Sequence, residues 1–165
     1  MSRRTVTLLV VSAAVLVGLN VLVLRKERVR WSGQTMLLEL APVDPRSLIQ
    51  GDYMRLRYAM GDEIDERRAD EQIGGRVVVR LDDNDVAELV RLYDGGELAD
   101  GEHLLRWKYR RRIALGSNAY YFEEGQAKVY ERADYGELKV AEDGSTLLVG
   151  LRDGEFERLG PTAGD

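Results

Sequence analysis

The chain has no cysteine and only one histidine, His103, among its 165 residues. Without thiols there are no disulfides, no thiolate nucleophile and no cysteine-bound zinc, although a cysteine-free domain suits a reducing or an oxidising compartment equally well. With one histidine an imidazole metal cluster is excluded, and a Ser-His-Asp triad would have to use His103, around which no supporting motif stands. No glycine-rich phosphate loop, dinucleotide fingerprint or zinc spacing appears either, so the sequence calls for no cofactor and no metal. Positive charge is also in short supply. Setting aside Arg3 and Arg4 at the amino terminus, 22 basic residues face 29 acidic ones, and the remainder of the chain carries about −7. A nucleic-acid partner is not expected of so acidic a chain.

What is there begins with a run of 19 uncharged residues, Val6 to Leu24, interrupted only by Thr7, Ser12, Gly18 and Asn20. As a helix it spans about 28 Å, close to a hydrocarbon core of about 30 Å, and it is expected to cross a membrane. A cleaved signal peptide would show a shorter apolar core and a small-x-small site, whereas Leu22-Val23-Leu24 runs straight into Arg25-Lys26. Both flanks are basic: Arg3 and Arg4 stand before the run, and Arg25, Lys26, Arg28 and Arg30 after it. Strict counting slightly favours a cytoplasmic domain, while the short basic amino terminus is that of a signal anchor and favours the extracytoplasmic side. Trp31 is expected at headgroup level. The chain thus divides into a basic tail (1–5), a transmembrane helix (6–24), a juxtamembrane linker (25–34), one domain (35–159) and a tail (160–165).

The domain is organised around Gly51-Asp52-Tyr53-Met54-Arg55-Leu56-Arg57-Tyr58. Gly51 accepts a positive φ and Asp52 can bond the backbone beyond it, which predicts a sharp corner opening into a strand. Met54, Leu56, Tyr58 and Met60 then alternate with Tyr53, Arg55, Arg57 and Ala59, the period of a half-buried strand. Tyr53, on the polar face, is read either as a ring lying along an arginine stem or as a ligand contact.

Around this stretch the remaining elements follow in order. Thr35 to Leu40 reads as a strand, and Asp44-Pro45-Arg46 as a turn. Gly61 to Gly75 is dense in charge, a short polar helix capped by Asp62 and closed by Gly74 or a loop, with little to give a core. Arg76 to Leu81 and Val86 to Tyr93 form a hairpin over Asp82-Asp83-Asn84-Asp85, a solvated turn that lacks calcium-loop spacing. Leu105, Trp107, Tyr109 and Ile113 alternate with Arg106, Lys108, Arg110 and Arg112, giving a strand with a basic stripe. That stripe is expected to find acidic partners across the sheet, with lipid phosphates or an acidic partner as the alternative. His103 is expected in the loop before it. Ala119 to Phe122 reads as a short strand and Glu123 to Ala133 as the one good helix, with Ala127 and Tyr130 on one face and Gly136 closing it. Glu137 to Ala141 and Thr146 to Leu151 make a second hairpin.

Gly51, Asp52, Tyr53, Leu56 and Tyr58 fill every fixed position of the motif that names the GDYXXLXY family, and the chain resembles that family beyond the motif. Arg76 to Leu81, Tyr121-Phe122-Glu123-Glu124-Gly125-Gln126-Ala127 and Ala133-Asp134-Tyr135-Gly136-Glu137-Leu138 look like its later blocks. The resemblance implies a bacterial protein with an N-terminal anchor in the cytoplasmic membrane, one compact domain outside the cytoplasm and a multi-pass membrane protein as partner. It implies no reaction. Gly51, Asp52, Tyr53, Leu56, Tyr58, Glu124 and Gln126 are its candidate binding residues.

A fainter likeness, to signal peptidases, runs through Leu48 to Tyr53, Arg110 to Gly116 and Tyr121 to Gly125. Its chemistry does not carry over: Val43 stands where the nucleophile should be, and arginine, which stays protonated, where a lysine base is wanted. Asp44, Asp52 and Glu124 are carboxylates that could serve acid-base work, but such positions more often form caps and turns. The expected fold is a transmembrane helix followed by a mainly β, antiparallel sandwich or open barrel with one packed helix, distantly signal-peptidase-like. The expected function is that of an accessory or interaction module, against a hydrolase-type enzyme or a lipid or small-ligand binder.

Overall fold

A computed structural model describes residues 3–41 and 53–160. The Asp44-Pro45-Arg46 turn and the Gly51-Asp52 corner lie outside the described residues.

Helix α1 (Arg3–Ser32) is continuous over 30 residues and runs through the stretch read as a linker. Val21, Leu22, Val23 and Leu24 are all exposed, as are Leu8, Val10, Val11, Val15 and Leu16, so apolar side chains stand uncovered on every side of it. Among the described residues no helix is long and apolar enough to cross a membrane. Near the end of α1, the indole of Trp31 is 80% exposed and donates to the Glu27 carboxylate at 3.1 Å. The amide of Gly33 donates back to Val29 O at 3.0 Å, so the chain leaves the helix directly into a strand.

The rest is mainly strand. In order come β1 (Gln34–Glu39), β2 (Tyr53–Arg55), helix α2 (Met60–Arg67), β3 (Gly74–Leu81), β4 (Ala87–Leu92), β5 (Glu102–Tyr109), β6 (Ile113–Ala114) and β7 (Ala119–Tyr121). The short helix α3 (Ala127–Tyr130), β8 (Tyr135–Val140), β9 (Thr146–Arg152) and β10 (Arg158–Leu159) complete it. Two four-stranded antiparallel sheets form, ordered β1-β8-β9-β10 and β4-β3-β5-β6, with β2 and β7 as a separate two-stranded ribbon. The larger sheets curl over one core: Met36 and Leu38 from β1, Val77 and Val79 from β3, Leu105 and Trp107 from β5, and Leu138 and Val140 from β8. A parallel bridge between Leu37 and Val86, with the Leu37 amide on Asp85 O, ties β1 to the start of β4. Both expected hairpins form, and Asp82 fixes the first by accepting from the amides of Asn84 and Val86, with Asp85 at φ 63°.

Five expectations need correction. The motif strand is ladder-paired only from Tyr53 to Arg55, because Met60 already opens α2, where the charged stretch buries Met60 and Ile64 in the core. Asp62 does not cap that helix. Its N-cap is Ala59 without a side-chain bond, and Asp62 instead pairs with Arg57. The helix expected over Glu123 to Ala133 shrinks to the four residues of α3, since Gly125 at φ 85° turns the chain before it. Gly136 does not close that helix but lies in β8. His103 is no loop residue: it sits within β5, opposite Val79.

Candidate functional site

The described part of the family-defining motif, from Tyr53 on, stands where the two sheets and the ribbon meet, and alternation assigns each of its side chains a task. Met54, Leu56 and Tyr58 are buried, whereas Tyr53 and Arg57 are half-buried and Arg55 is exposed. Tyr58 is 4% exposed; its hydroxyl donates to Ser117 O at 3.1 Å and its ring rests against Gly136 of β8, where an added Cβ would come within 3.0 Å of it. Burial pushes the Tyr58 phenol well above its ordinary value. Leu56 joins a second core cluster with Met54, Tyr130, Leu151 and Leu159, and its amide donates to Asn118 O at 2.8 Å. Phe122 stacks on Tyr130 at 4.9 Å in the same cluster. The three sequence blocks of the resemblance around residues 53–58, 121–127 and 133–138 therefore form one packed unit.

Tyr53 presents its ring to another aromatic. It pairs across the ribbon with Tyr121, ring centroids 5.6 Å apart, and Tyr121 itself is 75% exposed. Glu124 is exposed and Gln126 half-buried in the turn before α3, where Gln126 N donates to Glu123 O at 3.1 Å. Asp44, Gly51 and Asp52 lie outside the described residues. Among the described residues no group of three or more His, Asp or Glu side chains could hold a metal ion.

Tyr121 marks the rim of a groove of about 870 Å³ that opens between β5, the 114–121 segment and the start of β9. Here the two sheets do not close on each other. The Arg106 amide reaches Gly144 O at 2.9 Å, and Thr146 Oγ1 reaches Leu115 O at 3.0 Å; beyond those ties the groove lies open. Arg106, Lys108 and Arg110 line it, and among the described residues no carboxylate does. The same three residues also line a depression of about 610 Å³ toward the start of β3, together with Arg76.

The charge balance along this row departs from expectation. Arg106 pairs with Asp143 at 3.1 Å, and Asp143 is held below the usual carboxylate range chiefly by bonds from Ser145, with Arg106 and Arg76 adding to them. Among the described residues Lys108, Arg110, Arg111 and Arg112 make no ion pair, so the acidic cross-strand partners expected for the stripe are absent for all but Arg106. Arg110, Arg111 and Arg112 are not on the strand at all. They form the turn into β6, with Arg110 N on Arg112 O at 2.9 Å and Arg111 at φ 68°. A non-glycine residue there is strained by about 1 to 3 kcal/mol, and no glycine or asparagine marks the turn in sequence. The groove's hydroxyls are committed to structure: Ser117 Oγ donates to Ala119 O at 2.6 Å and Ser145 Oγ to Asp143 at 2.9 Å. The sequence signals the basic row through alternation but carries no sign that Ser117, Asn118 and Thr146 would face it.

Fold and groove together define a helix-bearing, mainly β protein with a cation-lined surface trough beside its signature motif. A family model described as GDYXXLXY protein matches residues 15–151, and the chain belongs to that family. No curated protein and no solved structure matches it.

Proposed function

We propose that this chain is a membrane-anchored interaction module, held in the bacterial cytoplasmic membrane by its N-terminal helix and acting outside the cytoplasm as an accessory to a multi-pass membrane protein. The observation that carries the reading is α1. Its described apolar side chains are exposed on every side, and a helix apolar all round is normally covered by protein or lipid. Because the described residues alone do not amount to a span, the anchor rests on this exposure together with the 19-residue uncharged run from Val6 to Leu24. The domain supplies a second support, since its signature residues build a packed unit with an aromatic and cationic trough on its surface rather than a nucleophile beside a base.

Two measurements test this. A reporter active only outside the cytoplasm, fused after Asp165, is expected to be active; an active cytoplasmic reporter in its place overturns the orientation. After cross-linking in native membranes, the full chain is expected to co-purify with an integral membrane protein and to stay in the pellet after carbonate washing. Release into the wash ends the anchored reading.

A further inference from the structure

We infer that the groove beside the motif strand is a docking site for an extended, acidic segment of a partner protein; this rests on the interaction-module reading and names the chemistry of its contact. Four observations point there. The chain as a whole is acidic, with 29 acidic against 24 basic residues, yet among the described residues the groove is lined by three cations and no carboxylate. Lys108 and Arg110 carry charge that no described side chain neutralises, although acidic residues abound elsewhere on the surface. Arg76 and Arg106 lie directly opposite each other on β3 and β5, a like-charge pairing that disfavours the sheet. The tip of the β5–β6 hairpin holds three consecutive arginines around a strained φ, and none of them pairs with a described carboxylate.

The shape selects among anions. Arg106 and Lys108 stand two residues apart on one face of β5, about 7 Å from each other, and Arg110 in the turn just beyond adds a third cation to the same groove wall. An extended chain presents alternate side chains at the same spacing, and acidic residues at every second position would meet the row one by one. The far wall offers Tyr121, backed by Tyr53, and the open end of β9. On its edge away from β8, β9 is ladder-paired only at Leu151 and Arg152, leaving the stretch that begins at Thr146 facing the trough. A flat membrane surface would match a spread of cations better than a row sunk beside a trough of this length.

The test uses the full chain in nanodiscs of neutral phosphatidylcholine and a fluorescent peptide of alternating Glu and Thr, with an alternating Lys and Thr peptide as control. The acidic peptide should bind, should weaken as salt is raised, and should lose roughly tenfold in affinity in K108A/R110A. Both residues are exposed, so the variant should keep the melting temperature of the parent. The reversed variant K108E/R110E should turn the preference toward the basic peptide. Unchanged binding in K108A/R110A overturns the inference, as does a chain that ignores the peptide but associates with vesicles containing phosphatidylglycerol, which would assign the row to lipid headgroups. If a membrane partner still co-purifies with K108A/R110A at full yield, the module reading stands and the groove is not its contact. If the peptide binds and no membrane partner is ever captured, the groove stands and the module reading falls.

Discussion

Tyr53 and Tyr58 are both tyrosines of one motif, and the structure gives them opposite duties. Tyr58 is sealed between β8 and the 116–117 turn, so Tyr58→Ala should cost about 3 to 5 kcal/mol, as other large aromatic deletions do. Tyr53→Ala removes one ring of a surface pair and should cost about 1 kcal/mol. Thermal melts compare the two, and equal large losses would make Tyr53 as structural as Tyr58. Burial also gives these phenols a pH signature. Tyr58 is raised, and Tyr130 is pushed up to about 12 by burial with Tyr120 adding to it. A group raised in the folded state stabilises fully below its unfolded value of about 10, and that stability is lost as pH climbs from there through the folded value. Stability should therefore fall steeply above pH of about 10, and Tyr58→Phe should flatten part of that fall while costing about 1 kcal/mol at neutral pH for the lost hydroxyl bond. On the acid side Glu102 is held below its ordinary value, first by the bond from Arg91 and then by the Ala99 amide. Its contribution is present above the unfolded value and lost as pH drops through the lower folded one, so Glu102→Gln should shorten the acid limb of a pH–stability profile.

At the level of elements, what was legible in the sequence followed from periodicity, and what was missed followed from turns without turn residues. Alternation placed Met54, Leu56 and Tyr58 inside and assigned both hairpins, because Asp82-Asp83-Asn84-Asp85 and Glu142-Asp143-Gly144-Ser145 announce themselves chemically. The same alternation carried the basic strand too far. Nothing in Arg110-Arg111-Arg112 signals a bend, and only Arg111 in the left-handed region makes one. Glu123 to Ala133 has helical spacing, yet Gly125 at φ 85° breaks it and tertiary packing of Tyr130 fixes the remainder. The charged stretch after the motif was undervalued for the opposite reason: Ile64, fully buried, together with Met60 just before the stretch is enough to dock a helix of eight residues. Gly136 shows how tightly these elements are fitted. In Gly136→Ala the new Cβ would stand 3.0 Å from the Tyr58 ring and 3.5 Å from Leu148 Cδ1. The variant should lose on the order of 1 to 3 kcal/mol by overpacking, read as a lower melting temperature. An unchanged melt would mean the ring moves freely, against its place in the core.

Seen as a whole molecule, the chain separates its charges and its two sheets, and both separations were only half visible beforehand. The mainly β antiparallel class followed from strand spacing, whereas the groove did not, since it depends on residues some 30 positions apart, Leu115 and Thr146, meeting through a hydroxyl. The two-residue strand β10 is too short to show any period. Between the sheets, backbone bonds are few: Leu37 N to Asp85 O on one side and Arg106 N to Gly144 O on the other. The second of these hangs on Gly144 at φ 83°, where an added Cβ would sit 3.0 Å from the Arg106 nitrogen. Gly144→Ala should thus cost about 1 to 3 kcal/mol through strain and crowding, and should speed hydrogen exchange at the Arg106 amide before that of β3. The molecule then works like a book bound along one spine and fastened by a few small clasps: whatever settles between the pages changes how readily they let go, and the Arg106 proton counts each opening of one of them.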